Sequence, residues 1–144
     1  MAPVATLGID LETFSSNDIK YGVYKYVASP DFEILLCGYA FKDAPVEVLD
    51  LTKTNGQLPQ WFINALYDER ILKTAFNANF EMTCFRKYFP DMPVECWECS
   101  SVLSLYNSLP TGLANVAKIL KLGADNQKDA RGKALINYFS KPCK

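Results

Sequence analysis

Apolar residues form short runs in the first third of the chain and recur at helical spacing in the remainder. The runs at residues 4–9, 21–27, 32–41 and 46–51 are rich in β-branched and aromatic residues, which predicts four strands. The connections between the later runs are too short for helical crossovers. We therefore expect early antiparallel hairpins.

From residue 59 onward, helical and strand patterns alternate. Helical periodicity in five segments predicts helices at 59–69, 79–88, 100–109, 113–122 and 129–139. Short apolar runs at 71–76 and 94–97 predict strands before the second and third of these helices. Antiparallel hairpins followed by alternating helices and strands predict an α/β fold, a mixed sheet with helices on its faces.

Two carboxylates follow the first predicted strand. Asp10 and Glu12 are two residues apart, so on an extended chain their side chains point to the same side. Two like charges in one place are costly unless a cation neutralises them, and Mg²⁺ or Mn²⁺ prefers such oxygen ligands. A solvated acidic turn is the alternative interpretation of so short a pattern.

A second polar group follows a later predicted strand. Asn77 and Asn79 suit a bend and a helix N-terminus, and Glu81 falls in the first helical turn, where the helix dipole favours a carboxylate. Asn79 and Glu81 could serve only as capping residues. Ligands of mixed sheets gather at the carboxyl ends of strands, and both polar groups are predicted at such ends.

Composition narrows the possible functions. The length of 144 residues, with 49% hydrophobic and 22% charged residues, indicates one globular domain over residues 1–144. The net charge of −1 offers no overall basic excess for a plain nucleic-acid binder. The absence of histidine excludes Ser-His-Asp and Cys-His catalysis and histidine-bound zinc.

Neither a signal peptide nor a membrane-spanning apolar run is visible, so we expect a cytoplasmic protein without a membrane partner. Five cysteines, an odd number, argue against a disulfide framework. Cys96 and Cys99 have the spacing of a zinc or redox pair but lack a second ligand pair. Free and mostly buried thiols are the favoured interpretation.

The two polar groups together resemble a known family. Residues 10–13 (Asp-Leu-Glu-Thr) resemble the first motif of the DEDD-type 3′–5′ exonucleases. Residues 77–81 (Asn-Ala-Asn-Phe-Glu) resemble the second motif, Asn-x-x-(Phe/Tyr)-Asp. Over nearly its whole length, the chain is most similar to the proofreading domain of family A DNA polymerases of phage and prophage.

The resemblance implies a ribonuclease H-like fold and two-metal hydrolysis of 3′-terminal nucleotides from DNA, with Mg²⁺ or Mn²⁺. Asp10 would bridge both metals, Glu12 would bind the water-activating metal and Glu81 would hold the second. Thr13 and Asn77 would contact the terminal nucleotide. The expected partners are the 3′ end of single-stranded DNA and a polymerase domain in the same protein, acting in DNA replication in a bacterial host.

Phe14 is a further candidate for substrate binding. Its ring would stack on an unpaired base, which is the usual sequence-tolerant way to hold single strands. Ordinary packing of a loop aromatic is the equal alternative. Whether the substrate is DNA or RNA stays open, since such sites cleave both.

Two departures from the family pattern stand out. Glu81 replaces the usual aspartate, which lengthens the side chain by one methylene. The third motif, a Tyr or His three to five residues before an Asp, is not found, and Asp125 and Asp129 lack the aromatic partner. We therefore expect an N-terminal fragment of a longer polymerase, weak or inactive alone. The alternative is a non-catalytic module on the same fold that binds nucleic acid or a protein.

Overall fold

The chain folds into a mixed five-stranded sheet with helices packed against it. The structure is a computed structural model that describes residues 5–123 and 131–142. The strands are β1 Ala5–Phe14, β2 Glu33–Phe41, β3 Glu47–Asp50, β4 Ile71–Ala75 and β5 Trp97–Cys99. The helices are α1 Val23–Val27, α2 Gln60–Tyr67, α3 Ala78–Arg86, α4 Ser100–Tyr106, α5 Leu113–Ile119 and α6 Gly132–Phe139. Short 3-10 turns cover Ile19–Tyr21 and Leu51–Lys53.

The strand order is β3-β2-β1-β4-β5. The pairs β1–β2 and β2–β3 are antiparallel, whereas β1–β4 and β4–β5 are parallel. Antiparallel neighbours need only tight turns, whereas parallel neighbours need crossovers, which α2 and α3 provide. The mixed sheet with early antiparallel and later parallel strands is confirmed.

The central strand β1 alternates between the core and the opposite face. Leu7, Ile9 and Leu11 are buried, while Asp10 is exposed and Glu12 is partly exposed. This alternation follows from the two-residue period of a strand. The core that receives the buried side includes Phe62 and Leu66 of α2, Cys84 and Phe85 of α3, and Tyr26 of α1.

Strand β1 is longer than predicted, and this changes where the carboxylates lie. The sequence predicted a strand end at residue 9, but pairing with β2 continues to the Phe14–Glu33 pair. The other neighbour, β4, pairs only as far as Gly8 and Thr74. Asp10 and Glu12 therefore lie within β1, at the point where the chain of its parallel neighbour turns away into α3.

The strand predicted at 21–27 is wrong, because this segment forms a 3-10 turn and then α1. Strands β2 and β4 occupy both edges of β1, which leaves no edge there for another strand. Gly22 separates the two helical pieces with φ of 99°, a value that L side chains rarely adopt. The side chains of Ser15 and Asn17 then hold α1 in place by donating to its carbonyls.

The remaining predicted elements are present with altered bounds. Strand β5 begins at Trp97, later than the predicted 94, and α4 and α5 end about three residues early. Part of the predicted helix 129–139 lies outside the described residues. Cys37, Cys84, Cys96 and Cys99 are free thiols, and Cys143 is not among the described residues. Within the described ranges, no helix is long and apolar enough to cross a membrane.

Candidate active site

The first part of the site is the pair of carboxylates on β1. Asp10 pairs with Gly38 of β2 and Glu12 pairs with Leu36, so both backbones are fixed by the sheet. A register irregularity between Glu12 and Thr13 follows the second carboxylate. Both carboxylates lie on the face of β1 opposite the buried leucines, which is the shared orientation that their spacing predicted.

The second part is Glu81, which enters the site from the first turn of α3. Helix α3 begins after Asn77, and the amide of Phe80 donates to the Asn77 carbonyl at 2.8 Å. The Glu81 side chain is 95% buried, and its Oε2 has no hydrogen-bond partner among the described residues. Burying a carboxylate oxygen without a partner is costly, which marks the position as more than a helix cap.

Asp10 and Glu81 are close enough to influence each other electrostatically. Burial raises the pKa of Glu81 to about 8, the negative charge of Asp10 adds to the rise, and a backbone hydrogen bond opposes it. The first and second polar groups of the sequence are thus brought together by the sheet and α3. A cation placed at this point would reverse the unfavourable charge interaction.

Two buried thiols surround the carboxylates. Burial raises the pKa of Cys37 to about 12, with the charges of Asp10 and Glu81 contributing. Burial also raises the pKa of Cys84, again with the charge of Glu81 adding to the rise. Protonated thiols such as Cys37 and Cys84 are poor ligands.

The charge of Cys99 also acts on Glu81, and the pKa of Cys99 is lowered because its burial is outweighed by hydrogen bonds to Ser101 and backbone amides. The hard donors in this environment are the carboxylate oxygens. Such oxygens favour hard cations such as Mg²⁺ and Mn²⁺.

The described residues provide only part of the ligand set that a divalent metal ion needs. The buried, unpartnered oxygen of Glu81 beside the charge of Asp10 suits a divalent cation. In residues 5–123 and 131–142, however, no group of three or more His, Cys, Asp or Glu side chains could hold a metal ion. Asp10 and Glu81 are brought together, but Glu12 does not complete a three-ligand group with them.

The predicted substrate-binding residues differ in exposure. Asn77 is exposed at the start of α3, and its side chain makes no capping hydrogen bond. Phe14 is partly exposed at the end of β1. Thr13 is only 4% exposed, and its hydroxyl lies 2.9 Å from the Tyr26 hydroxyl. Its side chain therefore packs in the interior, and its contact with the terminal nucleotide stays a prediction.

Tyr26 is a site neighbour that the sequence did not reveal. Burial raises the pKa of its phenol, with a smaller contribution from the charge of Glu12, which places the ring near the first motif. The segment was predicted as a strand, so the position of Tyr26 could not be deduced. The regular spacing of Val23, Tyr26 and Val27 is the helical signal that could have found it. Asp125 and Asp129 lie outside the described residues.

No protein-family model matches the chain. The DNA polymerase of Bacillus phage SP02 is 52% identical to it over 141 residues, which cover 96% of this chain and 21% of the polymerase. The chain is homologous to this phage DNA polymerase. It spans about a fifth of the length of that relative, and the resemblance to phage polymerases found in the motifs is confirmed.

Solved structures show the same fold at low sequence identity. Brucella melitensis NrnC, also solved bound to pGG, has a TM-score of 0.60 and 17% identity, with coverage of 92% of this chain and 64% of NrnC. The Aedes aegypti Nibbler EXO domain has a TM-score of 0.58 and 15% identity, with coverage of 96% of this chain and 67% of that domain. These likenesses and the strand order confirm the ribonuclease H-like fold.

Proposed function

We propose that this chain is the 3′–5′ exonuclease domain of a DNA polymerase and removes nucleotides from DNA 3′ ends in proofreading. The observation that carries the proposal is the buried, unpartnered oxygen of Glu81 beside the charge of Asp10. Its support is the homology to a phage DNA polymerase and the fold shared with NrnC and the Nibbler EXO domain. The polymerase domain would lie in the same full-length protein.

The reaction is hydrolysis of the last phosphodiester. The oxygen of a water molecule bonds to phosphorus, the bond from phosphorus to the 3′ oxygen of the preceding nucleotide breaks, and that oxygen takes a proton. A nucleoside 5′-monophosphate leaves. Bound Mg²⁺ or Mn²⁺ would offset the charge of the phosphate and lower the pKa of the attacking water.

Each residue of the site has a distinct task in this proposal. Asp10 and Glu12 would hold the metal from the exposed face of β1, where a DNA end can approach. Glu81 would hold the metal from the interior, at a position that α3 fixes. The exposed Asn77 and the ring of Phe14 would contact the terminal nucleotide. Histidine takes no part in proton transfer, because the chain has none, which leaves carboxylates and water for this task.

The direction of digestion tests the proposal. A 5′-labelled single-stranded 20-mer incubated with the chain and Mn²⁺ should shorten slowly, by one nucleotide at a time from its 3′ end, since weak activity is expected without the third motif. The same oligonucleotide with a 3′-terminal phosphorothioate linkage should resist, since its last phosphodiester is the one attacked. Internal cuts, shortening from the 5′ end or equal digestion of the protected strand would contradict the proposal.

A second candidate function is a non-catalytic module that binds single-stranded ends or a protein on the same fold. The observation that favours it is the lack, among the described residues, of a three-ligand metal group. The two candidates predict different results for the 20-mer in Mn²⁺. A binding module would hold the strand without shortening it, and an exonuclease would degrade it.

A further inference from the structure

One buried side chain of α1 contacts both segments that carry the carboxylates. Tyr26 is 6% exposed, and its hydroxyl is hydrogen-bonded to the Thr13 hydroxyl at 2.9 Å. Thr13 directly follows Glu12 in β1. The ring of Tyr26 packs against the ring of Phe80, with 6.2 Å between the ring centroids, and Phe80 directly precedes Glu81 on α3. A single side chain thus joins the two polar segments of the site.

The hydroxyl contact comes at the part of β1 that the sheet borders on one side. Strand β4 pairs with β1 only as far as Gly8, so in the described sheet residues 10–14 have β2 as their one neighbouring strand. The register also shifts between Glu12 and Thr13. Such a shift interrupts the ladder and redirects the side chains beside it. A contact from outside the sheet can therefore fix the direction of Glu12, and Tyr26 makes one at the next residue.

The helix that carries Tyr26 is itself held from both sides. Ser15, just after β1, donates its hydroxyl to the Tyr26 carbonyl at 2.7 Å. From the end of α3, the Lys87 ammonium donates to the carbonyls of Val27 and Ser29, at 2.7 Å each. These bonds fix a helix of only five residues between β1 and α3. Tyr26 therefore has a defined position from which it can orient its two neighbours.

The phenol of Tyr26 suits positioning and not proton transfer. Burial raises its pKa above the usual value, the hydrogen bond with Thr13 opposes the rise, and the charge of Glu12 adds to it. The hydroxyl is therefore protonated and neutral at neutral pH. It is bonded to Thr13 in the interior, which leaves it to act through that residue.

We propose that Tyr26 is a positioning residue of the metal site. Its hydroxyl, acting through Thr13, sets the direction of the Glu12 carboxylate. Its ring, acting through Phe80, sets the first turn of α3, which carries Glu81. The inference rests on the proposed function for the role of Glu12 in holding the metal. It assigns the spacing of these two carboxylates to a side chain that is not itself a ligand.

Amide hydrogen exchange in EDTA tests the hydroxyl contact without a metal. Tyr26→Phe keeps the ring and removes the hydroxyl. We expect protected amides of residues 10–14 to exchange about tenfold faster, because a buried hydrogen bond is lost, and residues 7–8 to exchange as in the wild type. Tyr88→Phe is the matched control, since the Tyr88 hydroxyl donates to the Phe32 carbonyl at 3.0 Å. It should leave exchange in β1 unchanged.

A double-mutant cycle in Mn²⁺ affinity tests whether Tyr26 acts through Glu12. In the wild-type background, Tyr26→Phe should bind Mn²⁺ about tenfold more weakly, the lower end of the range for groups that orient a metal ligand. In the Glu12→Gln background, the same change should alter the affinity less than about twofold, because the ligand that it orients is already lost. Tyr88→Phe should bind Mn²⁺ like the wild type. Calorimetry gives the affinities, and circular dichroism checks that each variant is folded.

Tyr26→Leu tests the ring. This variant loses the contact with Phe80 as well as the hydroxyl, so it should bind Mn²⁺ more weakly than Tyr26→Phe. Part of its loss should persist in the Glu12→Gln background, because Glu81 is then less well held. Equal affinities of Tyr26→Leu and Tyr26→Phe would contradict the role of the ring. Tyr26→Phe decides the role of the hydroxyl even if Tyr26→Leu does not fold.

The outcomes separate this inference from the proposed function. Wild-type Mn²⁺ affinity in Tyr26→Phe, or an equal loss in both backgrounds, would overturn the inference, and digestion of the 20-mer would still stand as the test of the exonuclease. Mn²⁺ binding that depends on Tyr26, without any digestion, would support the inference and overturn the exonuclease proposal. No binding by the wild type at millimolar Mn²⁺ would overturn both.

Discussion

In metal-free buffer at pH 9, the Glu81→Gln variant should unfold less readily than the wild type, with a free energy of unfolding higher by about 3–5 kcal/mol. The reason is that Glu81 is 95% buried with an unpartnered oxygen, and its pKa is raised from 4.5 to about 8. Glutamine keeps the shape and removes the charge. Urea denaturation in EDTA measures the difference.

The sign of the pH dependence follows from the raised pKa. Between pH 4.5 and about 8, the folded chain holds a proton on Glu81 that the unfolded chain has released. The free energy of unfolding of the wild type therefore falls as the pH rises through this window, and the full loss is reached above pH 8. The advantage of the Glu81→Gln variant should shrink as the pH falls and disappear near pH 4.5.

The Glu69→Gln variant is the matched control, since Glu69 is exposed and loses the same single charge. It should follow the wild type at every pH. If the free energy of unfolding of the Glu81→Gln variant followed the wild type at every pH, Glu81 would be solvated in the folded chain, which contradicts the buried carboxylate described above.

The second large effect concerns Asp10. If the chain digests DNA with Mn²⁺, the Asp10→Asn variant should be slower by at least about 100-fold. Metal-based stabilisation of the transition state amounts to several kcal/mol, and each 1.36 kcal/mol is a factor of ten in rate. Initial rates of nucleotide release from the 5′-labelled 20-mer measure the loss.

Asp43→Asn provides the comparison for this variant, because Asp43 is exposed in the turn after β2. It should digest DNA at the wild-type rate. Digestion by the Asp10→Asn variant within about fivefold of the wild type would mean that other residues or a contaminating nuclease perform the reaction.

The sheet could be predicted from the sequence because its strands carry local signals. Apolar and β-branched runs reveal β1, β2 and β4 directly, and the two-residue spacing of Asp10 and Glu12 fixes their shared face. The bounds of β1 could not be predicted, because its extension to Phe14 depends on pairing with distant β2. Local pattern carries no information about such pairing.

The secondary structure of the segment containing Tyr26 was predicted wrongly for a related reason. Its alternating aromatic and β-branched residues have strand propensity, but both edges of β1 are occupied and the side chain packs against Thr13 instead. Tertiary contacts therefore decided its structure. At the site, the pairing of Asp10 with Glu81 followed from motif order, whereas the burial of Glu81 depends on how α3 packs and was not accessible from sequence.

The central claim is that Asp10 and Glu81 together bind a divalent cation, and a Mn²⁺ titration tests it without requiring catalysis. Calorimetry at pH 7.5 should show binding by the wild type, with release of protons because Glu81 must ionise. Asp10→Asn and Glu81→Gln should each bind at least about tenfold more weakly, and Glu69→Gln should bind like the wild type. Equal Mn²⁺ affinity in all four proteins, or none in the wild type at millimolar Mn²⁺, would contradict the account.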